Sequence, residues 1–331
     1  AAEGPPGSRV ETVSQKEVDA LVGRVRQSCR TARRLHAAAA LVAKIETLKP
    51  HEAQCWRELV CYGVGSFQSS PKARVQLAIA HVLLDGLSQS APEGALRAVI
   101  FDPVFNEVEK RALAVLGWSV LDHDEEGKRP IAEPLVVASD DDPERSRSGC
   151  LAAGTVFFMP HCPFRLYSNV LWRNWGPELG SMVVVGNSFA AYDQRIISRS
   201  ARKNPSNCVL RLASLTMEES FEFPPQDLDL LHQEGTGADV LGDSGVMWWR
   251  EHHRIPMVQG VAETPKDEGG LADRDCGGSE ASSVIVRSSQ SRGRGSANRL
   301  RDSAEQSRGT LVLEPSTRPP EEFGVGHESL E

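Results

Sequence analysis

Five short, continuously apolar runs constrain this chain most: LVCY at 59–62, AVIF at 98–101, WSVL at 118–121, TVFFM at 155–159 and MVVV at 182–185. Each stops at or just before a polar or turn-forming residue: Gly63, Asp102, Asp122, Pro160-His161 and Gly186-Asn187. Runs of four or five residues with no polar alternation suit strands buried on both faces. Between the first three runs lie segments that suit helices. Ser69, Ser70 and Pro71 supply hydroxyl caps and a first-turn proline. The helix they start runs to about Leu87, with Val75, Leu77, Ala78, His81, Val82 and Leu84 on its buried side. A second helix spans 106–116 and is ended by Gly117. Strands alternating with helices predict an α/β fold, a Rossmann-like, mostly parallel sheet of five or more strands with helices on both faces.

The sequence outside these runs divides by composition. Residues 1–10 read as disordered, and 11–50 as a helical N-terminal region. There Val18, Leu21, Val22 and Val25, then Leu41, Val42 and Ile45, recur at helical spacing, and Pro50 ends the pattern. The Rossmann-type domain is expected over 51–255, interrupted at 136–154 (VVASDDDPERSRSGCLAAG) by an irregular polar insertion read as unstructured. Residues 256–331, mostly Gly, Ser, Arg, Glu and Pro, read as a disordered, low-complexity tail that cannot bury enough apolar surface to offset its ordering entropy. Retained noncoding sequence or a wrongly joined gene model would account for both segments.

Charge and cysteine usage exclude several function classes. A net charge of -8 argues against direct DNA binding, which needs a basic stripe to displace counterions. Arg24, Arg26, Arg30, Arg33 and Arg34 make the region before Pro50 locally basic, which reads as a solvated helix face. The seven cysteines are scattered, odd in number and nowhere spaced Cys-x-x-Cys, so free thiols are expected and structural zinc is not. No apolar run reaches the roughly 18 residues of a membrane span, and no basic start precedes an apolar segment in the manner of a signal peptide. A cytoplasmic and nuclear setting with protein partners, and no membrane, is expected.

In a sheet of this kind, ligands bind beyond the carboxyl ends of the strands. The turn Gly63-x-Gly65-x-Phe67-Gln68 stands there. A dinucleotide loop would have glycine at 68 and a methyltransferase-like loop glycine at 67, so the turn matches neither in full. It reads either as a ligand loop, with S-adenosylmethionine as one ligand, or as a tight strand-to-helix turn. Asp102 reads either as a ribose acceptor or as a turn residue satisfying local amides. His161 and Cys162 offer a base, a nucleophile or soft ligands, with haem as one ligand, or else a hydrogen-bonded pair lining the sheet end. Asn187 follows the fifth run. These six, Gly63, Gly65, Asp102, His161, Cys162 and Asn187, form the candidate pocket; no catalytic set and no metal site is assigned. Tyr167, Asn169, Trp172, Asn174 and Trp175 form an aromatic and amide cluster read as core anchors and caps. Asp122, Asp124, Glu125 and Glu126 form an acidic loop read as solvated.

The segments LVCYGVGSF, VIFDPVF, LGWSVLDHDEEGKR, TVFFMPHCPFRLYSNVLWRNW and MVVVGNSF resemble, in order and spacing, those of the SRR (sensitivity to red light reduced) family. The resemblance covers roughly 58–189, with a weaker echo to Trp249, where SGVMWW is similar to the family's closing aromatic strand. It implies a Rossmann-like domain in a regulatory family tied to circadian rhythm, clock gene expression and haem biosynthesis, with no established catalysis. The motif residues that carry across are Gly63, Gly65, Asp102, His161, Cys162, Tyr167, Asn169, Trp172, Trp175, Gly186, Asn187 and Ser188. The insertion at 136–154 and the tail depart from the family pattern. The competing reading is a nucleotide- or S-adenosylmethionine-binding enzyme or sensor.

Overall fold

A computed structural model describes residues 13–51, 53–137, 149–196, 198–204 and 206–249. These all lie in the unit Ala1–Gly278. The expected disordered start and tail fall outside the described residues.

The five apolar runs become the parallel heart of one sheet. They form β1 (Cys55–Tyr62), β2 (Arg97–Phe101), β3 (Ser119–Val120), β5 (Gly149–Met159) and β6 (Met182–Asn187). Three further strands, β4 (Leu135–Val137), β7 (Met217–Ser220) and β8 (Ser244–Trp248), bring the total among the described residues to eight. The order is β3-β2-β1-β5-β6-β8-β7, with β4 paired to β5. The first five positions are parallel, and β8 is antiparallel to both neighbours. The chain therefore moves outward from β1 to β3 and then returns to β5 on the other side of β1. That reversal makes the gap between β1 and β5 the topological switch point.

Side chains alternate between two cores, as the pleat requires. Leu59, Cys61, Val156, Phe158, Val183 and Val185 enter one. Val60, Tyr62, Phe157, Met159 and Val184 enter the other. The first is covered by α1 (Gln15–Ala32), α2 (His36–Thr47), α3 (Pro71–Gln89), α4 (Glu107–Val115) and α9 (Pro225–Gln233). The second is covered by α5 (Phe164–Arg173), α6 (Phe189–Arg195), α7 (Arg199–Lys203) and α8 (Cys208–Leu212). At about 1.5–3 kcal/mol for each large apolar side chain removed from water, these two faces are the main source of stability.

Local signals in the sequence set the helix ends. Ser70 accepts from the Ala73 amide with Pro71 in the first turn, and Asn106 and Glu109 form a reciprocal capping box. Gly117, at φ +85°, takes the left-handed position after α4.

One expectation needs correction. The insertion at 136–154 is not wholly irregular: β4 and the start of β5 pair antiparallel, Leu135 with Ala152 and Val136 with Cys150. These residues lie at the sheet, where backbone groups gain ladder partners despite the polar stretch between them; that stretch, 138–148, lies outside the described residues. The expected N-terminal helices are α1 and α2, parted at Leu35 with no proline or glycine at the break. The reason is tertiary. Leu35 turns its side chain into the core, and the buried carboxylate of Asp227 in α9 accepts from the His36 and Ala37 amides at 3.0 and 2.8 Å. Leu35 offers no side-chain cap of its own, so Asp227 caps α2 from a distant part of the chain. Glu234, just after α9, ties down α1 by accepting from the Ser28 and Thr31 hydroxyls at 2.7 and 2.6 Å.

Replacing Asp227 with alanine removes the only side-chain acceptor described at the start of α2. The expected loss is about 1–2 kcal/mol, read as a lower urea midpoint with an unchanged slope. An unchanged midpoint would contradict the capping role.

Candidate functional site

At the switch point, the protein's own side chains pack against the glycine turn. Gly63 follows β1 at φ +70°, and Cys162 follows β5 with its thiol directly against it. A Cβ added at Gly63 would lie 2.5 Å from the Cys162 sulfur. The thiol is 2% exposed and donates to the Tyr62 carbonyl at 3.5 Å. Burial, then the nearby Asp102 charge, push it well above the ordinary thiol range. A thiol so sealed and so hard to ionise is poorly suited to serve as a nucleophile or a metal ligand.

The glycine turn is closed in the same way. Its amides are the groups a phosphate would seek. The Gly65 amide instead donates to Asp102 Oδ2 at 2.7 Å, and the Gln68 amide to Glu109 Oε1 at 2.9 Å. Glu109 also accepts from the Ser66 hydroxyl at 2.8 Å and from the Asn106 amide at 3.0 Å. Asp102 spends its second oxygen on the Val104 amide at 3.0 Å. Both carboxylates are buried, so each hydrogen bond offsets a desolvation cost. Asp102 thus does the local work of a turn residue, and two carboxylates stand where an external anion would bind.

Asn187 organises the adjoining strand ends. Its Oδ1 accepts from the His161 amide at 2.8 Å, and its Nδ2 donates to the Tyr192 hydroxyl at 2.9 Å and the Cys162 carbonyl at 3.3 Å. Its own amide donates to the Tyr167 hydroxyl at 2.8 Å, and that hydroxyl donates to the Met159 carbonyl. Gly186 is required beside this link, because a Cβ there would lie 2.5 Å from the Tyr167 oxygen. Ser188 caps α6 through the Ala191 amide, while Glu218 accepts from the Phe189 and Ala190 amides.

His161 differs from the other candidates. It is exposed, held at φ +58°, and its Nε2 lies 2.9 Å from the Val240 carbonyl. A carbonyl only accepts, so Nε2 carries the proton. Gly242 makes room for the ring: a Cβ there would come within 2.8 Å of the His161 Cε1. A left-handed backbone at a non-glycine residue is a constraint maintained by its surroundings.

The structure therefore brings the six candidates to one edge: Gly63 against Cys162, Gly65 against Asp102, and His161 and Cys162 tied together by Asn187. Sequence reading missed Glu109, whose position three residues after Asn106 announces only a capping box. It also missed Glu58, buried on β1 and paired with Arg129 through two bonds of 2.9 and 3.0 Å and with Arg97 at 3.2 Å. Arg129 also bridges to Glu125, which accepts from the Tyr62 hydroxyl. The acidic loop is thus partly a structural ion-pair network. Asn169 and Asn174 hold its backbone, through the Glu126 and Arg129 carbonyls and the Ile131 amide. Trp172 and Trp175 pack, partly buried, against the second core. Among the described residues, no group of three His, Cys, Asp or Glu could hold a metal ion, and no helix is long and apolar enough to cross a membrane.

Comparison with known proteins gives a consistent match. The SRR1 domain model matches residues 44–248. An SRR1-like protein of Mus musculus is 35% identical over 147 residues, which is 44% of this chain and 49% of that protein. Protein SENSITIVITY TO RED LIGHT REDUCED 1 of Arabidopsis thaliana is 32% identical over 143 residues, 42% of each chain. An SRR1-like protein of Drosophila melanogaster is 29% identical over 132 residues, 40% of this chain and 38% of that protein. The chain thus spans half or less of the length of these relatives. No solved structure matches it.

Gly63→Ala should cost at least about 2 kcal/mol, from the left-handed backbone and the collision with Cys162. Adding Cys162→Ala removes the collision but not the backbone cost. A double-mutant cycle should then show a coupling of roughly 1 kcal/mol or more, with the double variant more stable than the sum of the singles. Simple additivity would mean that the thiol does not fill this space.

Proposed function

This chain belongs to the SRR1 domain family, and from that premise we propose that it is a regulatory protein acting on clock gene expression and haem biosynthesis, without catalysis at the strand ends. The observation that carries the reading is the engagement of the Gly65 and Gln68 amides by Asp102 and Glu109. A nucleotide- or S-adenosylmethionine-dependent enzyme would need this turn open to its cofactor. Here a ligand would have to displace two buried carboxylates and the Cys162 thiol. Regulation then proceeds through contacts with other proteins, in the cytoplasm and nucleus. Direct DNA binding is no part of the reading, given the net charge of -8.

Two measurements test this. In cells lacking the protein, a clock reporter should change period and total haem should change, and re-expression should restore both; an unaltered period and haem content would contradict the regulatory role. In a thermal-shift screen of the full chain, S-adenosylmethionine, S-adenosylhomocysteine, NAD(H) and NADP(H) should leave the midpoint unmoved. A ligand at about 100 times its dissociation constant would add about 2.7 kcal/mol to the native state, which such a screen detects. A shift with any of the four would restore the enzyme or sensor reading. A shift with haem alone, lost in His161→Ala, would assign that ligand to the exposed imidazole.

A further inference from the structure

Helix α1 and the residues just after it are rich in exposed cations. The helix's apolar face, Val18, Leu21, Val22, Val25 and Cys29, is buried in the first core. The opposite side exposes arginines, and between residues 20 and 45 the sequence holds five arginines and one lysine with no aspartate or glutamate. Arg33 is matched by Asp85 at 2.6 Å and Lys44 by Glu219 at 2.5 Å. Arg30, Arg33 and Arg34 stand at the end of α1, where the helix dipole favours positive charge. Neither account covers Arg24.

Arg24 Nη1 donates to the Gln68 carbonyl at 3.4 Å, and Arg74 Nη1, from α3, donates to the neighbouring Phe67 carbonyl at 3.0 Å. Two guanidinium heads therefore converge on adjacent carbonyls, each with further N–H donors left for a ligand. Burial, then the Arg24 charge, hold Arg74 below its ordinary pKa. Glu234 offsets part of this repulsion through its charge, while its two oxygens accept from the Ser28 and Thr31 hydroxyls rather than from either guanidinium. Like charges placed side by side at a surface cost free energy that a bridging anion would recover.

We propose that Arg24 and Arg74 form a binding site for the phosphate of a phosphorylated segment of a partner protein. Two adjacent guanidiniums present about two positive charges and planar N–H forks, which suits a group carrying about -1.5 to -2 charge and three acceptor oxygens better than a single carboxylate. An anionic membrane fits less well, because the apolar face of α1 is already buried and unavailable for insertion. Arg24 and all of α1 lie outside residues 44–248, so the site joins a residue beyond the matched domain to one within it. The inference does not depend on the regulatory reading, and either can fail alone.

Arg26 provides an internal control. It is exposed on the same helix but two residues on, about 200° around the axis from Arg24. The full chain should bind an immobilised pool of phosphoserine peptides with randomised flanks, and the unphosphorylated pool at least tenfold more weakly. Arg24→Gln and Arg74→Gln should each weaken binding by about tenfold, Arg26→Gln should leave it unchanged, and inorganic phosphate should compete. Thermal unfolding of Arg24→Gln should match the parent, since Arg24 is exposed. Equal binding of both pools, equal losses in Arg24→Gln and Arg26→Gln, or no binding of the phosphorylated pool would each overturn the proposal. So would Arg24-dependent capture by phosphoinositide vesicles without capture by the peptides, which would transfer the site to a lipid.

Discussion

Two buried carboxylates, Asp102 and Glu109, hold the turn on which the carboxyl end of the sheet is built. The turn leaves β1 through Gly63 and Gly65, both at positive φ, and presents amides that strand pairing and the α3 cap do not satisfy. Left unpaired in a buried setting, each would cost about 1–3 kcal/mol. Asp102 reaches the turn from the end of β2, and Glu109 reaches it from α4, so the carboxylates join three successive elements of the first half of the fold. An arrangement that commonly receives a ligand's charge in Rossmann-like sheets here receives the protein's own.

The other side of the switch point is closed by packing and hydrogen bonds. Gly63 has no side chain because the Cys162 sulfur occupies that space, and Gly186 has none because the Tyr167 hydroxyl does. Asn187 then binds His161, Cys162, Tyr167 and Tyr192 into one network across β5, β6, α5 and α6. Such a network rigidifies a site when every member is satisfied. His161 is the one candidate left facing outward, with its ring orientation fixed by the Val240 carbonyl.

Much of this was legible in the sequence, for identifiable reasons. Continuous apolar runs marked the five parallel strands, most clearly the central β1 and β6, which are buried nearly throughout, and least at the edge strand β3, where Ser119 is exposed. Ser70-Pro71 marked a helix start because capping is local chemistry. The six candidate residues do meet at one edge, because topology alone brings the ends of parallel strands together. The break at Leu35 was not legible, since Asp227, which caps the second helix, lies almost two hundred positions away. Strand β4 was missed because only three residues pair before a polar stretch, and β7 because MEES has a polar face and an edge position. Glycine spacing showed that a turn forms at residue 63; it could not show whether a ligand or the protein's own side chains fill it, because Glu109 and Cys162 reach the turn only in the folded chain.

Amide hydrogen exchange of the ligand-free chain, resolved at Gly65 and Gln68, tests the closed turn most directly. Exchange through local opening reports whether each amide is held in the native state. The predicted result is strong protection at both positions, lost at Gly65 in Asp102→Ala and at Gln68 in Glu109→Ala, while the β1 and β5 amides remain protected. Fast exchange at Gly65 and Gln68 in the unmodified chain, slowed only when a nucleotide or S-adenosylmethionine is added, would contradict the account and make the turn a ligand site.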